Sequence, residues 1–240
     1  MSTFSLAFVL ALIVAAANIL GGAIVTSHKW AHTTLRYFIA LGSGFMLGTV
    51  FLEMLPASQS LLDSAPLWIL VGYLLVHTFE HTFASHLHFG EEIHHDQMAN
   101  STAGISALIG LLVHTFFDGV AIGAGFQVAP ETGILVFLAV LIHKIPDGFT
   151  ASSIAVSSGL SNTKAFGVAV LMGFLTIGGV LAVFLIGNSL AYALPVATGA
   201  TLYIAASDLV PEVNREPGIK LAFVVFAGVG LFLVAELLVR

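Results

Sequence analysis

The sequence contains no cysteine and very few charged side chains. Only 8% of its 240 residues are Asp, Glu, Lys or Arg, whereas about 25% is usual in soluble domains. Hydrophobic residues make up 58% of the chain. A soluble protein of this length could not cover its surface with so few charges. The composition therefore predicts a membrane protein whose surroundings are the lipid bilayer.

The missing residue types also exclude several classes of site. Without cysteine there are no disulfides and no thiolate ligands, so histidine, carboxylate or weaker oxygen and thioether groups must hold any metal. The chain has only seven Lys and Arg residues and no basic tract, which argues against nucleic-acid binding. No basic segment precedes the first apolar run, so we expect a retained transmembrane helix there rather than a signal peptide.

Apolar runs of about 20 residues, the length that crosses a bilayer, recur along the chain. They predict an all-α polytopic membrane protein with eight transmembrane helices in a single domain, residues 1–240. Short polar or proline-containing segments separate the runs. The predicted spans are 4–26, 36–56, 66–86, 103–126, 131–157, 163–187, 189–210 and 218–239.

The distribution of Lys and Arg predicts the orientation of these spans. Apart from Lys144, which lies in the middle of a span, one side of an eight-span arrangement has five of these residues and the other has only Arg240, so the first side should be cytoplasmic. The five are Lys29, Arg36, Lys164, Arg215 and Lys220. We therefore expect a multi-pass protein of the plasma (inner) membrane with both termini outside. The loop 86–102 is then cytoplasmic. It is rich in histidine, and its candidate weak metal ligands are His86, His88, His94 and His95.

Two of the predicted spans carry the same ionisable pattern near their middle. The fourth contains His114 and Asp118, the fifth contains His143 and Asp147, and a glycine follows each Asp. Residues four apart share one face of a helix. A charged group at the bilayer centre costs about 3 kcal/mol. These side chains, and Lys144 beside them, should therefore face the interior of the bundle and find partners there.

The order of this pattern predicts a geometry. Consecutive spans run antiparallel, so the same His-x-x-x-Asp order on both implies an inverted-repeat bundle around helices 4 and 5, with a two-fold axis in the membrane plane. Two imidazoles and two carboxylates then converge near mid-bilayer, a donor set that suits Zn²⁺ or a related first-row ion. Pro146 removes a backbone hydrogen bond from the fifth helix, and kinked helices at this depth are typical of transporters.

At these residues the sequence resembles the ZIP (Zrt/Irt-like) family of metal transporters. Four segments carry the resemblance: 114–119 and 143–148 match the motifs of the fourth and fifth helices, 44–56 looks like the second helix and 203–212 like the seventh. The resemblance implies a transporter, not an enzyme, that carries a divalent metal ion into the cytoplasm. Zn²⁺ is the first candidate, and Fe²⁺, Mn²⁺, Co²⁺ and Cd²⁺ stay open, as does a homodimer.

The resemblance also implies roles for individual residues. The central transport site would consist of His114, Asp118, His143 and Asp147. Met46 and Glu53 would lie on its entrance side, and Asp208 and Glu212 on its exit side. His77 and His81, which share a face at the inner end of the third helix, are further candidates on the exit side.

Three positions depart from the family pattern. The family's Asn after the first His is Thr115, the often acidic residue after the second His is Lys144, and the sixth predicted helix has no carboxylate. All three positions serve a second metal in two-metal members. We therefore infer a single-metal site in which Lys144 substitutes for the charge of the second ion.

Two other functions use similar ligands. A transmembrane zinc-dependent hydrolase would need a general base besides the metal ligands, but the sequence has no His-Glu-x-x-His and no spare acid beside the site. A haem protein with two axial histidines would place an Asp beside each of them, which is unfavourable next to ferrous haem. Metal uptake by the purified protein in liposomes would separate the three functions.

Overall fold

The computed structural model describes residues 2–27, 32–83, 101–186, 190–214 and 219–239. All secondary structure in these ranges is helical, which confirms the all-α prediction. Two π-helical segments, Thr49–Met54 and Ile204–Leu209, connect α2 to α3 and α8 to α9. The α-helices are α1 (Thr3–Ser27), α2 (His32–Gly48), α3 (Leu55–Leu61), α4 (Ala65–Phe83), α5 (Ser101–Val128), α6 (Pro130–Ser157), α7 (Asn162–Ile186), α8 (Leu190–Tyr203), α9 (Val210–Asn214) and α10 (Ile219–Val239).

Six helical stretches among the described residues are long and apolar enough to cross a membrane. They are Thr3–Val25, Tyr37–Leu61, Leu108–Val128, Pro130–Ser157, Asn162–Ile186 and Ile219–Val239. The predicted span 66–86 has a shorter apolar helix, Ala65–Phe79, and the predicted span 189–210 is divided into α8, a π-helical segment and α9. The chain is thus an all-α membrane protein, and the count of eight spans stays a prediction.

Helix α6 has clear signals at both ends. It begins at Pro130, a position where the N–H that proline lacks would have no partner within the helix. It continues through Pro146. Just after its last residue, Gly159 has a φ of 85°, a left-handed conformation that favours glycine and commonly ends helices.

The two π-helical segments have the same local construction. The N–H of Leu55 donates to the carbonyl of Val50, and the N–H of Val210 donates to the carbonyl of Ala205, so each bond spans five residues instead of four. A proline lies two residues after the end of each segment, and the fifth residue of each segment is acidic. Single π-helical turns are frequent at functional sites, which draws attention to these two acids, Glu53 and Asp208.

Glycines allow the helices around α5 and α6 to approach closely. A Cβ atom on Gly148 of α6 would overlap the carbonyl oxygen of Asn18 in α1. A Cβ atom on Gly119 of α5 would likewise overlap the carbonyl oxygen of Thr176 in α7. Small residues bring helix backbones into contact in this way in membranes, where packing rather than the hydrophobic effect drives association.

The other long helices form two further pairs of the same kind. Helix α2 packs against α10, where a Cβ atom on Gly44 would overlap the carbonyl oxygen of Val225. Helix α4 packs against α8, where a Cβ atom on Gly199 would overlap the carbonyl oxygen of Ile69. The bundle therefore rests on four close helix pairs, α1 with α6, α5 with α7, α2 with α10, and α4 with α8.

Two adjacent glycines of α7 provide a test of this packing. A Cβ atom on Gly179 would overlap the carbonyl oxygen of Phe116, whereas a Cβ atom on Gly178 would meet nothing within 4 Å. We expect Gly179→Ala to lower the free energy of unfolding by about 1–3 kcal/mol, because α5 and α7 must separate. Gly178→Ala should be neutral or should stabilise the protein by about 0.4–1 kcal/mol. Thermal unfolding in detergent compares the two variants, and equal midpoints would contradict the close packing.

Candidate metal centre

Four ionisable side chains converge between α5 and α6. His114 and Asp118 come from α5, His143 and Asp147 come from α6, and each is at most 1% exposed. One ligand atom from each residue lies within 4.8 Å of the other three. Among the described residues, no other three His, Asp or Glu side chains are grouped this closely. The cluster is therefore the candidate metal centre.

The distances within the cluster suit a single four-coordinate ion. His114 Nε2 lies 3.2 Å from Asp118 Oδ2 and 3.5 Å from Asp147 Oδ2, and His143 Nε2 lies 3.7 Å from each of these oxygens. Tetrahedral Zn²⁺ with bonds of about 2.0–2.1 Å separates its ligand atoms by about 3.3 Å. Small movements of these side chains would therefore suffice to bind such an ion.

A hydrogen bond orients one of the imidazoles. His143 Nδ1 lies 2.8 Å from the carbonyl oxygen of Ala139, one turn earlier in α6. A backbone carbonyl only accepts, so Nδ1 carries the proton. In the neutral imidazole, Nε2 then has a lone pair on the side of the two carboxylates. Metal-bound histidines are usually held by a bond of this kind.

Lys144 lies at the same cluster and is fully buried. Its Nζ donates to Asp147 Oδ2 at 2.7 Å and forms an ion pair with Asp118 Oδ2. With both histidines neutral, the two carboxylates and the ammonium carry one net negative charge. A buried charge of this kind is tolerated only when it is paired, because an unpaired one is strongly destabilising.

The second oxygen of each carboxylate has no hydrogen-bond partner among the described residues. Asp118 Oδ1 and Asp147 Oδ1 are both buried. Buried acceptors nearly always have a partner, and each exception needs an explanation such as an ion or water. These two oxygens therefore provide further coordination capacity on residues of the cluster.

Glu53 lies apart from the four-residue cluster but also contacts the helix that carries two of its ligands. It is 6% exposed, and its Oε1 accepts a hydrogen bond of 2.6 Å from Thr132 Oγ1 near the start of α6. Met46 is fully buried, in the same apolar cluster as Ala139 of α6. One turn before it, a Cβ atom on Gly42 would lie 3.3 Å from His143 Cβ. Helix α2 and its π-helical segment thus border the ligand helix α6.

The residues predicted for the exit side lie in several places. Asp208 is 3% exposed and belongs to the second π-helical segment. The rings of His77 and His81 lie with their centroids 4.1 Å apart, and the His77 ring is 5.8 Å from that of Tyr203. The side chain of Glu212 and the loop histidines His86, His88, His94 and His95 lie outside what the structure describes.

Two buried polar residues at these helix interfaces were not identified from the sequence. Thr132 donates to Glu53, and its position two residues after a helix-starting proline gave no signal for that contact. Asn18 is fully buried in α1. Its signal was available, because an amide in the middle of an otherwise apolar span is costly unless it has a role.

Comparison with known proteins finds similar sequences among zinc transporters. The sequence profile of the ZIP zinc transporter family matches residues 90–236, which include all four residues of the cluster. The zinc transporter ZIP13 of Pongo abelii is 26% identical over 209 residues, which cover 76% of this chain and 60% of that protein. Zinc transporter SLC39A7 of Rattus norvegicus is 32% identical over 44% of this chain and 25% of its own length. Zinc transporter ZIP4 of Homo sapiens is 33% identical over 45% of this chain and 17% of its own length.

The chain therefore spans less than two thirds of each of these relatives. The family profile nevertheless matches well over half of the chain, and the resemblance inferred from the motifs of α5 and α6 is confirmed. Together with a buried cluster of two histidines and two aspartates in an apolar helical bundle, this match leads to one conclusion: the chain belongs to the ZIP zinc transporter family.

Proposed function

We propose that this protein carries Zn²⁺ across the membrane into the cytoplasm through the His114, Asp118, His143 and Asp147 cluster. The observation that carries the proposal is the convergence of four ligand atoms within 4.8 Å of one another in a buried site. Two carboxylates balance the double charge of the ion where water is scarce. ZIP proteins are transporters rather than enzymes, so the hydrolase alternative no longer applies.

The donor atoms of the site do not by themselves select one metal ion. Imidazole and carboxylate bind Zn²⁺, Fe²⁺, Mn²⁺, Co²⁺ and Cd²⁺, with affinities that depend on geometry and availability. The names of the relatives, all zinc transporters, favour Zn²⁺. Uptake of Zn²⁺ into liposomes that contain the purified protein tests the proposal. A competition series with the other four ions ranks them, and absence of protein-dependent uptake of any of the five would contradict it.

The proposed path passes the two π-helical segments. Glu53 would receive the ion on the entrance side, where Thr132 now occupies its Oε1. Asp208 of the second segment would pass it to Glu212, His77 and His81 on the exit side. A thioether is a soft ligand, so Met46 would suit an ion that approaches the site along α2.

We also propose an inverted repeat around α5 and α6. The difference in residue number between His114 and His143 equals that between Gly119 and Gly148. These two glycines make equivalent contacts, Gly119 with α7 and Gly148 with α1. The difference in residue number between the π-helical segments Thr49–Met54 and Ile204–Leu209 likewise equals that between Gly44 and Gly199. Rocking of the group α1, α5, α6 and α7 against the other helices would expose the metal site to each side in turn.

The absence of cysteine makes the proposed orientation easy to test. A single introduced cysteine is the only thiol in the protein, so a membrane-impermeant thiol reagent reports its side directly. We expect Gly90→Cys, in the 86–102 loop, to react only from the cytoplasmic side, and Ser2→Cys to react only from outside. Labelling of both from one side would contradict the three predicted spans that separate the two positions, and the reverse pattern would contradict the direction derived from Lys and Arg.

The loop histidines should bind metal but should not be required for transport. Replacing His86, His88, His94 and His95 by serine is expected to leave the uptake rate within about twofold of the parent, since a polar, histidine-rich sequence is not expected to build a rigid transport site. The amount of metal bound at saturation should fall. Uptake and elemental analysis measure the two effects separately. Complete loss of uptake would refute dispensability, and unchanged stoichiometry would refute binding.

The oligomeric state is a separate question. Helix α10 presents a largely exposed apolar face, with Phe226 73% exposed and Leu237 82% exposed. In a bilayer, this face contacts either lipid or a second copy of the chain. The mass of the detergent-solubilised protein decides between a monomer and a homodimer.

A further inference from the structure

Asn18 of α1 is a buried amide without a partner among the described residues. The residue is 0% exposed, and both its Oδ1 and its Nδ2 lack a hydrogen bond. An unsatisfied amide is costly in any protein interior, and in a membrane no bulk water can compensate for it. Buried polar groups nearly always have a partner, so this amide needs an explanation.

Asn18 lies at the interface that also carries Lys144. The carbonyl oxygen of Asn18 meets Gly148 of α6. Lys144 is one turn before Gly148 and therefore shares its face, which is the face that packs against α1. The contacts advance together along the two helices, from Asn18 with Gly148 to Gly22 with Ser152, so α1 and α6 run in the same direction. Asn18 and Lys144 are therefore about one helical turn apart at one interface, a distance that the long lysine side chain can cover.

Metal binding and the position of Lys144 in the structure are in conflict. Its ammonium contacts the Oδ2 atoms of both Asp118 and Asp147. The same two oxygens face both imidazole Nε2 atoms, and they are therefore the natural carboxylate ligands of an ion at this site. A divalent ion and an ammonium on the same oxygens would repel each other at close range in a dry interior. An ion that takes both of these Oδ2 atoms as ligands therefore displaces the ammonium from them.

We propose that the carboxamide oxygen of Asn18 receives the Lys144 ammonium when metal occupies the central site. This inference rests on the proposed transport function. Without metal, Lys144 neutralises part of the charge of the two carboxylates. With metal, it moves across the α1–α6 interface and hydrogen-bonds to Asn18 Oδ1, and it remains protonated throughout. The metal-free site can then switch between the two sides of the membrane without burying two unpaired carboxylates. When metal is bound, the Lys144 ammonium competes with the ion for these carboxylates and so promotes its release.

The α5–α7 interface offers a natural control. Thr176 meets Gly119 there as Asn18 meets Gly148, and Thr115 occupies the place on α5 that Lys144 occupies on α6. Thr176 is fully buried, but its hydroxyl donates to the carbonyl of Met172 in its own helix at 3.3 Å. It makes the equivalent contact with a glycine, and the residue that corresponds to Lys144 is a threonine. A purely structural effect should therefore appear at both positions.

A double-mutant cycle tests the proposal through the Zn²⁺ dissociation constant of the purified protein with its loop histidines replaced by serine. Asn18→Leu should weaken Zn²⁺ binding roughly tenfold, in the range of coupling between contacting groups. In a Lys144→Met background the same change should have an effect under about twofold, because no ammonium needs a new partner. Thr176→Val should change binding by less than about twofold in either background.

The metal-free protein supplies a second measurement. Asn18→Leu removes an unpaired amide, so its thermal midpoint without metal should equal or exceed that of the parent. Equal weakening of Zn²⁺ binding with and without Lys144, or no weakening at all, would overturn the inference. Should the leucine variant not fold, Asn18→Ala is subject to the same criteria. If the parent itself binds no Zn²⁺ at the cluster, the proposed function fails instead, and the two failures are distinguishable.

Discussion

Replacing His143 or Asp147 by alanine is expected to abolish saturable Zn²⁺ uptake while the chain still inserts into the membrane. Each change removes one of four donors from a site whose atoms lie within 4.8 Å of one another. Loss of a group that only orients a ligand typically costs 10–100-fold in metal affinity, so loss of a ligand itself should cost about a hundredfold or more. Initial uptake rates over a range of Zn²⁺ concentrations measure the effect.

The two substitutions differ in their effect on the empty protein, and that difference is informative. Asp147→Ala leaves Lys144 with one carboxylate instead of two and should lower stability as well as binding. His143→Ala removes a neutral ligand and should affect binding far more than folding. Asp63→Ala, at an exposed carboxylate between α3 and α4, is the matched control and should transport like the parent. Parent-like uptake by both site variants would show that the proposed site is wrong.

The double substitution Lys144→Asp with Thr115→Asn is expected to raise the number of metal ions at the centre from one towards two. The ammonium now contacts both aspartates. Its replacement by a carboxylate changes the net charge of the cluster from one negative to three, with both histidines counted as neutral. Thr115 is fully buried beside His114, and its hydroxyl has no partner among the described residues. An asparagine there adds a carbonyl oxygen, a suitable further ligand.

Metal analysis of the purified protein, with its loop histidines replaced by serine, counts the bound ions. Lys164→Asp, at an exposed lysine near the start of α7, makes the same charge change away from the site and should leave the count at one. The role of Lys144 as a substitute for a second ion would be refuted if the unmodified protein already held two ions between α5 and α6.

The sequence was most informative where chemistry and helical periodicity coincide. His114 and Asp118 are four residues apart, as are His143 and Asp147, and a regular helix places each pair on one face regardless of the rest of the fold. The cost of ionisable groups in the membrane then directs both faces inward. The ends of α6 were also predictable, because Pro130 and Gly159 act locally on the backbone.

Other features depend on contacts between helices that no periodicity encodes. The hydrogen bond from Thr132 to Glu53 joins residues 79 positions apart in the sequence. A contact between residues so far apart leaves no pattern in the sequence around either of them. The two π-helical segments keep the composition of ordinary helix, and only the proline that follows each one hints at a change in hydrogen bonding. For the same reason, the sequence did not indicate which helices pack against Gly148 and Gly119, because several helices contain glycine.

Anomalous scattering at the zinc absorption edge, from crystals of the Zn²⁺-loaded protein, tests the central claim most directly. We expect one strong peak between α5 and α6, about 2.0–2.2 Å from donor atoms of His114, Asp118, His143 and Asp147. The peak should disappear in His143→Ala crystals grown under the same conditions. Zinc bound only elsewhere, for example at His77 and His81, with no peak among these four residues, would contradict the assignment of the transport site.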